Sequence, residues 1–175
     1  MELAMNKRDN VVTMKANPLT LLGPEITPGM AAPDFTVVNN DLAPVSLSDF
    51  QGKVVVISAV PSLDTPVCDM ETRRFNQEAQ NLGDKVKILT VSMDLPFAQK
   101  RWCGSAGVTN VQTVSDYQTA SFGQAYGVLI DGLRLLARAV FVVDADGKVA
   151  YVQVVPELTN EPDYAAVLEA VKKLV

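Results

Sequence analysis

The two cysteines, Cys68 and Cys103, are the side chains of this sequence best suited to chemistry. The chain contains no histidine, so a Cys–His or Ser–His nucleophile pair is impossible. Two thiols also fall short of the four ligands of an ordinary zinc site. A reactive cysteine in this chain must therefore be activated by another kind of neighbour. The alternative is that both thiols are inert and pack as small hydrophobic side chains.

Cys68 closes a Pro-x-x-x-Thr-x-x-Cys segment that begins at Pro61. Thr65 is well placed to cap a helix, with Pro66 at the first helical position. Cys68 then falls in the first helical turn, where free N–H groups and the helix dipole favour a thiolate. The alternative reading is that the segment only starts a helix and that Cys68 is a packed core residue.

Cys103 lies in a second distinctive segment, Asp94 to Gly104, which reads Asp-Leu-Pro-Phe-Ala-Gln-Lys-Arg-Trp-Cys-Gly. Its wide separation from Cys68 excludes a Cys-x-x-Cys redox pair. The segment is predicted to form a short helix from Pro96 to about Cys103. On the alternative reading, Trp102 and Cys103 are simply core residues of that helix.

The two cysteine segments resemble those of a known family. The segment that ends at Cys68 is similar to the active-site motif of the peroxiredoxins, and the segment around Cys103 is similar to that of their bacterial thiol peroxidase subfamily. The resemblance implies that Cys68 is the peroxidatic cysteine and that Cys103 is the resolving cysteine. It also implies an intramolecular Cys68–Cys103 disulfide. The ending Glu157–Tyr164 resembles the same subfamily.

Arg138 precedes the apolar run Ala139–Val143, and the resemblance assigns it a place beside the peroxidatic sulfur. There its guanidinium would favour the thiolate and polarise the peroxide. Arg134 is the rival candidate, four residues earlier. The list of candidates also includes two arginines close to Cys68 in sequence, Arg73 and Arg74.

The resemblance implies an enzyme of antioxidant defence that reduces hydrogen peroxide and organic hydroperoxides, with a leaning toward alkyl hydroperoxides. Cys68 would become a sulfenic acid, Cys103 would resolve it, and thioredoxin would reduce the disulfide. The Thr65 hydroxyl would donate to the anionic sulfur or accept from a bound hydroperoxide, and Pro61 would support the substrate pocket. No metal, haem, flavin or other cofactor is implied, and a homodimer is expected.

The charge and hydropathy of the sequence indicate whether the chain binds nucleic acid or membranes and where it is located. The net charge of −5 and the pI of about 4.7 argue against binding to nucleic acid. The sequence carries no transmembrane stretch and no apolar core of a signal peptide, so we expect no membrane attachment and a cytoplasmic location. Its 175 residues suit a single domain, residues 1–175, in which residues 1–9 are expected to be a loose extension.

The pattern of apolar runs predicts the elements that position these residues. An N-terminal β-hairpin is expected at Val11–Met14 and Leu19–Leu22, and a buried strand at Lys53–Val60. A helix is expected at about Pro66–Leu82, followed by a parallel strand at Val86–Val91. The remaining predictions are a strand at Val111–Val114, a hairpin around Asp144–Gly147 and a last helix that starts near Glu161. This α/β order predicts a thioredoxin-like fold of the peroxiredoxin type, with a central mixed sheet flanked by helices.

Three other functions remain open at this point. A protein-disulfide oxidoreductase would share the fold class, although the missing Cys-x-x-Cys motif argues against it. A redox sensor would use the Cys68–Cys103 bond to alter a partner surface. A thioredoxin-like binding module would carry inert cysteines.

Overall fold

A computed structural model describes residues 6–175 of the chain. The strands are β1 (Lys7–Met14), β2 (Asn17–Leu22), β3 (Thr36–Val38), β4 (Pro44–Ser46), β5 (Val54–Ala59), β6 (Val86–Ser92), β7 (Gln112–Ser115), β8 (Leu129–Ile130), β9 (Ala139–Val143) and β10 (Val149–Val154). The helices are α1 (Pro66–Leu82), α2 (Pro96–Ala106), α3 (Ser121–Ala125) and α4 (Tyr164–Lys172), and a 3₁₀ turn covers Leu47–Phe50.

The main sheet is mixed and has the strand order β10-β9-β5-β6-β7-β3-β4. Strand β5 is parallel to β6, and β6 is parallel to β7, whereas β5 pairs with β9 in the antiparallel sense. The predicted βαβ unit is therefore confirmed as β5, α1 and β6. Every side chain of β5 is buried, as its continuous apolar sequence predicted.

Two apolar clusters cover the two faces of this sheet because successive side chains of β5 point to opposite sides. Val55 and Ile57 belong to the cluster that includes the N-terminal hairpin and α3. Val54 and Val56 belong to the cluster that includes residues of α1 and α4. The start of α1 thus lies at the end of a fully buried central strand, which holds it firmly in place.

The predicted N-terminal hairpin is confirmed as β1 and β2, and its second strand also pairs with β8. The prediction that residues 1–9 are loose is wrong for Lys7–Asp9, because these residues pair with β2 in the register Lys7 to Leu22. Residues 1–5 of the same prediction lie outside the described residues.

Two helix boundaries differ from the prediction. Helix α2 continues through Gly104 to Ala106 and is capped by Gly107, whose φ of 68° suits a residue without a Cβ. Helix α4 begins at Tyr164, later than the predicted start near Glu161. The reason is that the Asp163 carboxylate accepts a hydrogen bond from the Ala166 N–H at 3.1 Å and so caps the helix there.

Within residues 6–175 no helix is long and apolar enough to cross a membrane.

Candidate active site

Cys68 lies at the third position of α1, directly after the loop that follows β5. Thr65 occupies the N-cap position with extended backbone, and Pro66 opens the helix, as the sequence predicted. Cys68 is 0% exposed in this state. The apolar residues packed against it are Val60, Leu63 and Trp102. A small molecule can reach this sulfur only when its surroundings open.

The structure brings Arg138 to Cys68. The guanidinium Nη2 donates to Cys68 Sγ at 3.2 Å, and Arg138 itself is only 2% exposed. Arg134 is exposed, with its backbone in the left-handed region. Arg73 and Arg74 form salt bridges at the surface of α1. Among these arginines, Arg138 is thus the one whose guanidinium contacts the buried sulfur.

Glu71 completes the site, and sequence reasoning missed its role. Its Oε2 accepts a hydrogen bond from Arg138 Nη1 at 2.6 Å, and its Oε1 accepts one from the Ser58 hydroxyl at 2.9 Å. Glu71 is 0% exposed. The helical spacing from Cys68 to Glu71 and Phe75 was the available signal, because it places this acid on the buried face of α1.

Burial and the neighbouring charges have opposite effects on the pKa values of Glu71 and Arg138. Burial raises the pKa of Glu71, and the Arg138 guanidinium only partly opposes that rise. Burial lowers the pKa of Arg138, but the neighbouring Cys68 and Glu71 more than offset this, and the net direction is upward. Arg138 therefore stays charged beside the sulfur, where its guanidinium favours a thiolate on Cys68.

The Thr65 hydroxyl donates to the Ser62 carbonyl oxygen at 2.8 Å. The predicted donation from Thr65 to the sulfur is therefore absent from this conformation. The hydroxyl oxygen can still accept a hydrogen bond, as the alternative prediction requires. The loop is fastened by the Asp94 carboxylate, which accepts from the Ser62 hydroxyl at 2.7 Å and from the Leu63 N–H at 2.8 Å. Pro61 lies half-buried in the same loop.

Helix α2 is tied to α1 through Trp102. The indole N–H donates to Asp69 Oδ1 at 2.8 Å, and Asp69 also pairs with Arg73 at 2.9 Å. Arg73 in turn donates to the Ala106 carbonyl oxygen at 3.3 Å. Because Trp102 also packs against the Cys68 cluster, the beginning of α1 and the end of α2 form one contact region.

Cys103 faces different surroundings from Cys68, and both cysteines are free thiols. Its sulfur lies 3.3 Å from the Thr113 hydroxyl oxygen, and that hydroxyl donates to Asn40 Oδ1 at 3.1 Å. Since Thr113 gives its proton to Asn40, Cys103 is left to donate its own proton to Thr113. The half-buried Cys103 borders a polar cavity of about 340 Å³. A bond between the two sulfurs would require this contact to break.

The arrangement can perform nucleophilic chemistry with a buried, guanidinium-stabilised sulfur. In the part of the chain that the structure describes, no group of three or more His, Cys, Asp or Glu side chains could hold a metal ion. The residues around Cys68 instead supply a fixed positive charge, a hydroxyl group and an apolar enclosure.

Comparisons with known proteins agree on one family. The family model described as Redoxin matches residues 27–168. The chain is 60% identical over 161 residues to a thiol peroxidase of Halalkalibacterium halodurans, which covers 92% of this chain and 96% of that protein. It is 56% identical to a thiol peroxidase of Bacillus subtilis, with 94% and 98% covered. A solved peroxiredoxin-like protein from Aquifex aeolicus superposes with a TM-score of 0.89 at 48% identity, covering 98% and 99% of the two chains.

Proposed function

Because the chain belongs to the Redoxin family, and within it to the bacterial thiol peroxidases, we propose that Cys68 is the residue that reduces hydroperoxides in this peroxiredoxin enzyme. The thioredoxin-like α/β fold and the subfamily inferred from the two cysteine segments are confirmed. One observation carries the assignment to Cys68, namely the 3.2 Å contact between Arg138 Nη2 and its buried sulfur at the start of α1. Such a contact favours the thiolate, the nucleophilic form of cysteine.

In the first step, the Cys68 thiolate attacks the terminal oxygen of the hydroperoxide. An S–O bond forms as the O–O bond breaks, and one proton is taken up from solvent. The sulfur is thereby oxidised to a sulfenic acid, and the peroxide is reduced to water or an alcohol. Arg138 stabilises the negative charge that moves onto the leaving oxygen. Thr65 accepts a hydrogen bond from the hydroperoxide O–H, since its own proton is given to Ser62.

In the second step, Cys103 condenses with the sulfenic acid, which forms a Cys68–Cys103 disulfide and releases water. The two residues must reach a Cα separation of at most about 7 Å for this bond. Cys103 must therefore leave Thr113, and the end of α2 must unwind from α1. The Trp102–Asp69 and Arg73–Ala106 hydrogen bonds are the contacts that this movement breaks.

In the third step, a dithiol reductant attacks the disulfide and returns both cysteines to thiols. Thioredoxin is the reductant that the family resemblance favours, and the reaction is assigned to antioxidant defence in the cytoplasm. The apolar side chains around Cys68 favour organic as well as inorganic hydroperoxides. A homodimer is proposed as well, supported by two strongly exposed apolar side chains near the Cys68 loop, Leu95 and Phe97.

The test is peroxide consumption with thioredoxin, thioredoxin reductase and reduced nicotinamide, measured for the wild type, Cys68→Ser and Cys103→Ser. Cys68→Ser is expected to abolish turnover because a hydroxyl group is not ionised near neutral pH. Cys103→Ser is expected to react once and then stall. Retention of about a tenth of the wild-type rate by Cys68→Ser would remove this residue from its proposed role, since losing a catalytic nucleophile normally costs far more. Disulfide formation without sustained turnover would favour a redox sensor instead.

A further inference from the structure

Arg138 is held by three partners, and one of them is a loop carbonyl. Its Nη2 and Nη1 contact Cys68 and Glu71, which both belong to α1. Its Nε donates to the Leu158 carbonyl oxygen at 2.9 Å, in the segment between β10 and α4. Because the five guanidinium donors form a rigid plane, the Leu158 bond fixes the rotation of that plane, and with it the position of Nη2 against the sulfur.

The peptide group that accepts this bond is itself held by Glu157. The carbonyl oxygen of Leu158 and the N–H of Thr159 belong to one planar peptide unit. Glu157 Oε2 accepts from the Thr159 N–H at 2.9 Å and from the Thr159 hydroxyl at 2.7 Å. A carboxylate on the N–H side polarises the peptide and strengthens its carbonyl as an acceptor for the guanidinium.

The other oxygen of Glu157 reaches the N-terminal hairpin. Its Oε1 accepts from the Thr13 hydroxyl at 3.0 Å and from the Ala16 N–H at 2.9 Å. Lys15 and Ala16 form the turn of the hairpin. Their φ angles of 49° and 65° lie in the left-handed region, which residues other than glycine rarely adopt. The Leu158 N–H also donates to the Thr13 carbonyl oxygen at 2.9 Å. The hairpin is thus a fixed anchor for the loop behind Arg138.

The charge of Glu157 is secure near neutral pH. Hydrogen bonds from the Ala16 N–H and from the Thr159 N–H and hydroxyl lower the pKa of Glu157 to about 2. The carboxylate is therefore ionised at every pH at which the enzyme is expected to work.

We propose that Glu157 is a positioning residue for the proposed peroxidatic reaction, acting through the Leu158–Thr159 peptide to hold Arg138 against Cys68. The chain of contacts runs from the Glu157 carboxylate to the Thr159 N–H, from the Leu158 carbonyl to Arg138 Nε, and from Nη2 to the sulfur. Glu157 touches neither the sulfur nor the hydroperoxide. The inference rests on the proposed role of Cys68 and adds a residue that sets how well its thiolate is stabilised.

The experiment is a pH titration of the ultraviolet thiolate absorbance of Cys68, in a Cys103→Ser background so that one thiol contributes. Glu157→Gln keeps the shape of the side chain but turns an amide group toward donors. Glu157→Asp keeps the charge but shortens its reach. Both are expected to move the thiolate midpoint to higher pH and to slow the reaction of Cys68 with hydrogen peroxide about fivefold, the effect of weakening one charged hydrogen bond. Arg138 and Glu71 are the ionisable groups that face the sulfur, and both remain in these variants.

Asp144→Asn is the matched control, because this carboxylate also accepts two backbone N–H groups, those of Asp146 and Lys148, but lies in the β9–β10 turn. It is expected to leave the thiolate midpoint unchanged. If the Glu157 variants lose thermal stability while their midpoint stays at the wild-type pH, the residue only fastens the loop and the inference is wrong. The titration needs neither peroxide nor reductant, so its result is separate from a failure of peroxidase turnover in the test of Cys68.

Discussion

At the scale of single residues, the site depends on how one guanidinium divides its donors. Arg138 gives one nitrogen to the sulfur, one to the Glu71 carboxyl and one to the Leu158 carbonyl. Lysine has a single nitrogen on a flexible stem, so it cannot keep all three contacts in one plane. Arginine is therefore needed at this position to orient the positive charge toward the sulfur as well as to supply it.

We expect Arg138→Lys to slow the oxidation of Cys68 by at least about a hundredfold, the usual cost of one misplaced charged donor. Arg138→Ala is expected to be as slow and also less stable, because it leaves Glu71 buried without its cation. Stopped-flow measurement of peroxide reduction gives the rate. Arg134→Ala is the control, since Arg134 is exposed, and it is expected to change the rate less than about twofold, as surface substitutions usually do. Equal losses in the Arg134 and Arg138 variants would mean that the contact with the sulfur is not what matters.

Sequence reasoning found Cys68 and Arg138 but not the partners that hold them. Cys68 was recognised in a short segment whose residue spacing is distinctive, whereas Arg138 was preferred to Arg134 because of the family resemblance. The Glu71–Ser58 hydrogen bond joins a helix to a strand, and no local pattern specifies such a pair. The direction of the Thr65 hydroxyl was missed for a similar reason, because the Ser62 carbonyl is available only once the loop has its folded shape.

At the scale of elements, two features of its sequence lower the stability of α2. Its N-cap residue, Leu95, has no side chain that can cap the helix, and Gly104 lies inside it. Each feature lowers the stability of a helix by up to about 1 kcal/mol. Local unwinding of this helix is therefore much less costly than movement of α1 or of the central strands.

Two glycine substitutions test this unwinding with opposite expected signs. Gly104 has helical backbone and open space where a Cβ would lie, so Gly104→Ala should stabilise α2 by up to about 1 kcal/mol and slow disulfide formation several-fold. Gly107 has a φ of 68°, so Gly107→Ala should strain the end of the helix and speed the same step. The fluorescence of Trp102, the single tryptophan of the chain, follows the reaction. A shift of both rates in the same direction would contradict the unwinding step.

The elements themselves were predicted unevenly. Helix α1 was predicted with its observed bounds because Pro66 and Gly83 mark both ends. Strands β4 and β8 were missed, since two or three residues are too few to show an alternating pattern. The start of α4 was predicted too early, near Glu161, because the capping role of the Asp163 carboxylate was not recognised.

At the scale of the whole molecule, the site joins distant parts of the chain. The sulfur comes from α1 and its guanidinium from the start of β9, and the loop behind that guanidinium is anchored on the N-terminal hairpin. These groups meet because β5 lies between β6 and β9 in the sheet. The order of elements predicted the fold class, but the meeting of hairpin, loop and guanidinium depends on tertiary packing that no single segment encodes.

The most direct test of the account is to locate the oxygen atom that one equivalent of hydrogen peroxide leaves on the Cys103→Ser protein. A sulfenic-acid trapping reagent followed by peptide mass spectrometry identifies the modified residue. The account predicts a single trapped sulfenic acid on Cys68, and progression to sulfinic acid in excess peroxide. Peroxide consumption that leaves Cys68 unmodified, or that places the oxygen on one of the six methionines instead, would contradict it.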